Sequence, residues 1–255
     1  KQKTGNYAGV TVASLSGNYI YKNEEVEITD LPGSYSIYPT SEDEAIFSRY
    51  LIQEQDNYVG VLYIADAINM KRSLLLFQQI QDLGIPILMV VNQIDEAEKR
   101  GIKINTEALS TKLNVDILRT NAKEHIGIDD IREAILNNRF LKSSQSTFEI
   151  PIEQKGLVYK ISQNTKDQNL YKIWTLLAAD TYLGKIERIN EIITQEDAKC
   201  NVPKRLQIQE TVRRYQNIDK IISETTEKIP QRKQLLTEKL DRILVHPVWG
   251  YLVFF

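Results

Sequence analysis

Cysteine occurs once in this sequence and histidine twice. A single thiol excludes an internal disulfide framework, and so small a ligand set argues against a Cys/His zinc site. Cys200 lies in a polar stretch and reads as an incidental thiol of a reducing compartment. His125 and His246 are too far apart in sequence and context to suggest a metal pair. An excess of either charge is also missing: 32 Lys and Arg face 34 Asp and Glu, for a net charge of −2. That balance gives no electrostatic footprint for nucleic acid, so no nucleic-acid partner is expected. The opening KQKTGNYAGV has no apolar core of a signal peptide. The longest uncharged apolar run, ILVHPVWGYLVFF from Ile243 to Phe255, stops short of a bilayer crossing. As a helix it covers about 20 Å against a hydrocarbon core of roughly 30 Å. It reads as the beginning of a membrane segment, the alternative being a buried terminal helix or strand. No Gly-x-x-x-x-Gly-Lys-Ser/Thr phosphate loop occurs anywhere in the chain.

What is present is an ordinary globular composition, 42% hydrophobic and 26% charged over 255 residues, enough for one large or two ordinary domains. Strand and helix signals alternate through the first 140 or so residues. NEEVEITD alternates with period two and predicts a strand. SEDEAIFSRYLIQE predicts a helix with an acidic first turn and Ser41 as N-cap. YVGVLYIAD and IPILMVVNQID are apolar runs of the kind buried on both faces of a parallel sheet. Between them, Leu74, Phe77, Ile80 and Leu83 recur at helical spacing and stop at Gly84, a C′ residue. NTEALSTKLN, VDILRTNAK and GIDDIREAILNN continue as helix, strand and helix. The pattern predicts an α/β fold with a doubly wound, mostly parallel sheet. Ligands bind such sheets at the carboxyl ends of the strands, where Asp30, Asp66, Asn92, Asp95 and Asn121 fall.

LKSSQSTFEIPIEQKG, Leu141 to Gly156, reads as a linker with one more strand. Beyond it every strong signal is helical. Leu170, Ile173, Trp174, Leu177, Ala178, Tyr182, Ile186 and Ile189 form one apolar stripe; Val212, Tyr215, Ile218, Ile222 and Ile229 form a second; Leu235, Leu236, Leu240 and Ile243 form a third. Pro203 and Pro230 suit first helical positions. Lys, Arg and Glu on these helices read as a solvated face. Trp174 and Trp249 read as packing and membrane-interface residues.

The chemistry is carried by four short motifs in order, each at a loop or strand end: GVT at Gly9–Thr11, DLPG at Asp30–Gly33, NQID at Asn92–Asp95 and TNAK at Thr120–Lys123. Taken singly they are weak, since a Pro-Gly turn after a strand is common and Asp95 could be a helix N-cap. As a carboxylate beyond a buried strand, Asp95 can accept hydrogen bonds from both N1–H and the exocyclic amine of guanine. Adenine has an acceptor at N1 and cannot satisfy that pair. Their order is that of the GTPase motifs that follow a phosphate loop.

The match is narrower than GTPases at large. QKTGNYAGVTV, DLPGSYSI, DEAEKRGIKI, RRYQNIDKII and LDRILVHPVWG resemble the FeoB ferrous iron transport proteins, and the resemblance covers essentially the whole chain. It implies a Ras-like P-loop GTPase (G) domain over residues 1–145, lacking its first strand and phosphate loop, and a small all-α helical domain over 146–242. Residues 243–255 would begin the first transmembrane helix. GTP or GDP and Mg²⁺ are the implied cofactors, with K⁺ left open as an activator because the phosphate-loop asparagine that binds it is absent. Thr11 and Asp30 would reach Mg²⁺, and Thr11, Asp30 and Gly33 would act in γ-phosphate sensing and hydrolysis. Nucleotide contacts would come from Gly9, Val10, Thr11, Val12, Ala13, Asp30, Leu31, Pro32, Gly33, Asn92, Gln93, Ile94, Asp95, Asn121, Ala122 and Lys123. Ser34-Tyr35 follows Gly33 with no water-orienting glutamine, so hydrolysis is expected to be slow. Asn121 stands where the family usually has serine, a change expected to be tolerated because the Ala122 N–H is the guanine O6 contact. The resemblance further implies a place on the cytoplasmic side of the inner (plasma) membrane, Fe²⁺ as transported ion, the transmembrane part as partner and an open question of homo-oligomers. Two rival readings are a soluble ribosome- or RNA-associated GTPase and a non-hydrolysing interaction module on a degenerate G fold.

Overall fold

The computed structural model describes residues 2–5, 14–143, 146–165, 167–179, 192–193 and 202–229. In chain order the elements are β1 (Gln2–Gly5), β2 (Ser14–Tyr21), β3 (Glu24–Asp30), α1 (Glu42–Gln53), β4 (Val61–Asp66), α2 (Met70–Asp82), β5 (Ile87–Asn92), α3 (Ile94–Lys99), β6 (Ile102–Ile104), α4 (Thr106–Leu113), β7 (Ile117–Thr120), α5 (Ile128–Leu136), α6 (Ile152–Thr165), α7 (Leu170–Leu177), α8 (Pro203–Thr225) and β8 (Thr226–Lys228). The apolar runs form the parallel sheet β4-β5-β7. Its centre is β5, whose residues Ile87 to Val91 are fully buried. The register aligns Asp66, Asn92 and Thr120 at the carboxyl ends of adjacent strands.

Local chemistry explains the helix ends. Ser41 Oγ accepts from Glu44 N–H at 3.3 Å while Glu44 Oε2 accepts from Thr40 N–H at 2.7 Å, a reciprocal cap at the start of α1. Asn105 and Asn169 cap α4 and α7 in the same manner, through Ala108 N–H and Lys172 N–H. Past α2, Gly84 takes φ +72°, the left-handed value that favours glycine at a helix end. Pro203 opens α8 at its first turn.

Four strands went unread in the sequence: β1, β2, β6 and β8. β1 and β2 join β3 in a separate antiparallel sheet, so the Glu24–Asp30 strand is one arm of a hairpin. The hairpin turns through Lys22 and Asn23 at φ 50° and 67°, a primed-turn geometry without the Asn-Gly or Asp-Gly pair that would have announced it. Among the described residues of 141–156 the expected extra strand does not form. Leu141 makes one isolated bridge to Ile87, and from Ile152 the chain is already helical because the Pro151 carbonyl accepts the N–H groups of Gln154 and Lys155. β6 and β8 pair antiparallel and fasten the end of α8 to the α/β part, helped by Asn105 N–H to Thr225 O and Ile229 N–H to Gly101 O.

The apolar face expected on α8 is rotated. Val212 and Ile229 are exposed at 52% and 55%, and the buried positions are Leu206, Glu210, Arg214, Ile218, Ile221 and Thr225. Glu210 and Arg214 therefore correct the assignment of every charge on these helices to a solvated face. Burial is possible because they pair with each other and with α2. On α7 the stripe from Ile173 through Trp174 and Leu177 to Ala178 is buried as expected. Tyr182, Ile186, Ile189, Cys200, Pro230, Leu235, Leu236, Leu240, Ile243, His246 and Trp249 lie outside the described residues. Among the described residues no helix is long and apolar enough to cross a membrane.

Gly127 begins α5 at φ +79°, and a Cβ there would sit 2.4 Å from the Arg119 carbonyl. Gly127→Ala is expected to lower stability by about 2–4 kcal/mol, from left-handed strain plus a clash with backbone that cannot yield. Urea unfolding checks this, and a midpoint unchanged from wild type would contradict it.

Candidate nucleotide site and the buried carboxylate beside it

The carboxyl end of the parallel sheet gathers two of the four motifs. Asn92 ends β5, Gln93 turns the chain at φ 63°, and the buried Ile94 anchors α3 so that Asp95 stands half-exposed in its first turn. Asp95 is thus not the N-cap that a local reading allowed; Gln93 occupies that place. Among the described residues its carboxylate pairs only with Lys99, at 3.3 Å on the surface. From the neighbouring strand, residues 121–126 form a closed loop in which Asn121 and Ile126 exchange backbone hydrogen bonds and Thr120 Oγ1 donates to Ile126 O. Asn121 Oδ1 accepts from Glu124 N–H at 3.3 Å. A serine hydroxyl can make the same turn-capping contact. Asn92 Oδ1 accepts from Ala122 N–H at 3.1 Å, joining the two loops directly and engaging the N–H that was expected to meet guanine O6. His125 closes the turn at φ 58°.

The DLPG motif is placed differently. Asp30 ends β3 in the antiparallel sheet, exposed, with no hydrogen bond or ion pair to its carboxylate among the described residues. Gly33 is exposed and an added Cβ would meet nothing within 4 Å. Among the described residues no hydrogen bond joins residues 30–33 to the Asn92–Ala122 pair. Gly9, Val10, Thr11, Val12 and Ala13 lie outside the described residues. No cluster of three or more His, Cys, Asp or Glu side chains is assembled for a metal among the described residues. A single free carboxylate is nonetheless the donor set that suits Mg²⁺, which takes one or two carboxylates together with substrate phosphates. Asp66, by contrast, is committed locally, accepting from Ile68 N–H and Asn69 Nδ2.

After Gly33 the chain leaves the surface. Arg72 lies 3.4 Å over the Tyr35 ring, Ile37 and Tyr38 are buried, and Ile37 N–H donates to Gln79 Oε1 at 2.9 Å. Behind this segment sits Glu210 of α8, fully buried. Its carboxylate accepts from Tyr38 Oη at 2.5 Å, Tyr171 Oη at 2.7 Å, Trp174 Nε1 at 2.8 Å, Gln79 Nε2 at 3.2 Å and Arg214 Nε at 2.6 Å. Arg214 Nη2 lies 2.8 Å from Asp82 Oδ2, a charge pairing without an aligned N–H···O bond. Its Nη1 reaches Thr147 Oγ1, which together with Thr147 N–H also binds Asp82. Burial by itself would raise the Glu210 pKa; Arg214 and the Tyr38 and Tyr171 hydroxyls overcome that and hold it below the ordinary carboxylate value. Burial raises both tyrosines well above their usual value, so they stay phenols and donors.

These residues were missed in the sequence. Glu210 and Arg214 are four apart, in line with Leu206 and Ile218 on the same helix face. A charge pair interrupting an apolar stripe is the signal that could have found them.

The geometry agrees with three comparisons. The family model described as "Ferrous iron transport protein B" matches residues 1–135. The chain belongs to the FeoB family. A Fe(2+) transporter FeoB of Leptospira biflexa is 31% identical over all of the chain, which spans 38% of that relative's length. The cytosolic domain of Legionella pneumophila FeoB superposes with a TM-score of 0.74 at 28% identity, covering 89% of this chain and 90% of that one. A GDP-bound A143S mutant of the S. thermophilus FeoB G-domain gives a TM-score of 0.66 at 26% identity, with 89% of this chain and 90% of that one covered. This stretch of a FeoB protein therefore has the fold of the family's G domain.

Proposed function

We propose that the chain is the nucleotide-responsive part of a ferrous iron transporter, binding GTP and hydrolysing it to GDP and phosphate. The observation that carries this reading is the Asn92 Oδ1 to Ala122 N–H bond, which holds NQID and TNAK as one recognition edge with Asp95 a turn away. Asp95 reads the guanine Watson–Crick edge, and Asn92 ties the loops that flank it. Asp30 holds Mg²⁺, which supplies charge neutralisation on the phosphates when bound, and Thr11 completes its protein ligands. The Gly33 N–H faces the γ-phosphate. Residues 1–145 act as the G domain, 146–242 as the helical domain, and 243–255 lead into the membrane on the cytoplasmic side. The order of residues 6–15 and 33–40, set by the γ-phosphate, is passed to the helical domain and regulates Fe²⁺ passage through the transmembrane part. GDP bound to the S. thermophilus relative supports the nucleotide class.

The test is GTP turnover by the full-length protein containing this chain, with Mg²⁺ and in K⁺ or Na⁺. Turnover should need Mg²⁺ and fall by about a hundredfold or more in Asp30→Asn. Turnover equal to wild type in that variant would contradict the role of Asp30. Gly33→Pro, which removes that N–H at a site where an added Cβ meets nothing within 4 Å, should lose the preference for a non-hydrolysable GTP analogue over GDP. An unaltered preference would remove Gly33 from the phosphate site.

A further inference from the structure

We infer that Glu210 is a positioning residue for the segment that follows Gly33, making the helical part a structural component of the phosphate-sensing element. The inference rests on the reading of Gly33 as a γ-phosphate contact and adds the residue that regulates it.

Glu210 holds this segment by two arms. One is direct, from the Tyr38 hydroxyl to Glu210 Oε2. The other runs through Gln79, whose Nε2 donates to Glu210 Oε1 and whose Oε1 accepts Ile37 N–H. The amide of Gln79 is therefore fixed in one orientation by a carboxylate from α8, and the buried Ile37 N–H, four residues beyond Gly33, depends on it. Ser36 Oγ also faces Gln79 Oε1, at 3.4 Å, and accepts Tyr38 N–H. Gly33 itself is exposed and free of steric neighbours, so its position is set by what anchors the residues just after it. That anchor lies on a helix more than 170 residues downstream in sequence.

On the other side Glu210 takes donors from Tyr171 and Trp174 of α7 and from Arg214 of its own helix. All five donors share two oxygens with no solvent, so a shift of Tyr38 or Gln79 leaves a buried carboxylate under-satisfied and α7 and α8 must readjust. Packed networks of this kind favour discrete arrangements over graded ones. Linkage makes the relation reciprocal: whatever orders the segment favours this seating of α8, and this seating favours the ordered segment. The tether preorganises Gly33 for the γ-phosphate and does nothing for GDP, which lacks that group.

Tyr38→Phe removes one hydroxyl and keeps the ring, which makes it the variant of choice. In the full-length protein, affinity for a non-hydrolysable GTP analogue should fall about fivefold or more while GDP affinity stays unchanged. Tyr38→Phe combined with Gln79→Met should lower it further, since both arms are then lost. A purely structural role would weaken both nucleotides alike or neither, and either result overturns the inference. The tether is also read without nucleotide, by hydrogen exchange of the peptide spanning residues 31–40. Exchange of the Ile37 amide should quicken about tenfold or more in the double variant. An unchanged rate overturns the inference even if the wild-type protein were to bind no nucleotide, a result that would by itself sink the guanine reading.

Discussion

Glu210→Ala is expected to destabilise the protein by about 3–5 kcal/mol, the range for breaking one side of a buried charge pair. The deletion leaves Arg214 with Asp82 as its remaining anion, in a site where its side chain is 1% exposed. It also strips the acceptor from Tyr38, Tyr171, Trp174 and Gln79, all buried. Each orphaned donor costs roughly 1–3 kcal/mol, though relaxation and water entry keep the sum from being additive. Glu153→Ala on the exposed side of α6 serves as the control and should stay within about 0.5 kcal/mol. Denaturant unfolding measures both. A loss below about 1 kcal/mol for Glu210→Ala would mean that the carboxylate is dispensable to the join between the two parts.

The same residue sets a pH dependence. Its folded pKa lies below the reference value of 4.5, so its contribution is fully present above that pH and is lost as pH falls through the folded value. Stability should therefore hold through neutral and mildly acidic pH and fall only below about 4.5. Tyr38 and Tyr171, whose pKa values are raised, keep donating over that whole range. An unfolding profile already declining near pH 6 would contradict an ionised, satisfied Glu210.

Asp95→Asn is expected to change which base the site accepts. A carboxylate offers two acceptors to the two N–H groups of the guanine edge. An amide offers one acceptor and sets an NH₂ against the exocyclic amine, leaving donors facing donors. GDP affinity should drop by about a hundredfold or more. Xanthosine diphosphate should gain, because xanthine presents one donor and one acceptor to match the amide. Folding should be unaffected, as the ion pair lost among the described residues is the exposed one to Lys99, worth about 0–1 kcal/mol. Competition binding to the full-length protein decides the matter. Equal GDP affinity in the variant and wild type would dismiss Asp95 as the base reader.

How much of this was legible in the sequence follows from how local each signal is. The parallel strands were readable because burial on both faces makes β4 and β5 continuous apolar runs, and α2 because Leu74, Phe77, Ile80 and Leu83 repeat on one face. The motif loops were readable because NQID and TNAK sit immediately after strands that declare themselves. β2 escaped because SLSGNYIY mixes small, polar and aromatic residues and its turn, Lys22-Asn23, has no glycine. The Glu210 site escaped for a different reason. Gln78, Gln79, Gln81 and Asp82 make α2 look amphipathic with a solvent face, yet α8 covers that face and all four are buried. Polar residues signal exposure only when no second element brings matching partners, and the charged partners of Gln79 and Asp82, Glu210 and Arg214, lie more than a hundred residues further along the chain.

The central claim is that this end of the sheet reads guanine. Calorimetric titration of the full-length protein with GDP and with ADP, in Mg²⁺, tests it most directly. GDP should bind tighter by about a hundredfold or more, the worth of two hydrogen bonds at one edge of the base. Equal affinities for GDP and ADP, or binding of neither, would contradict it.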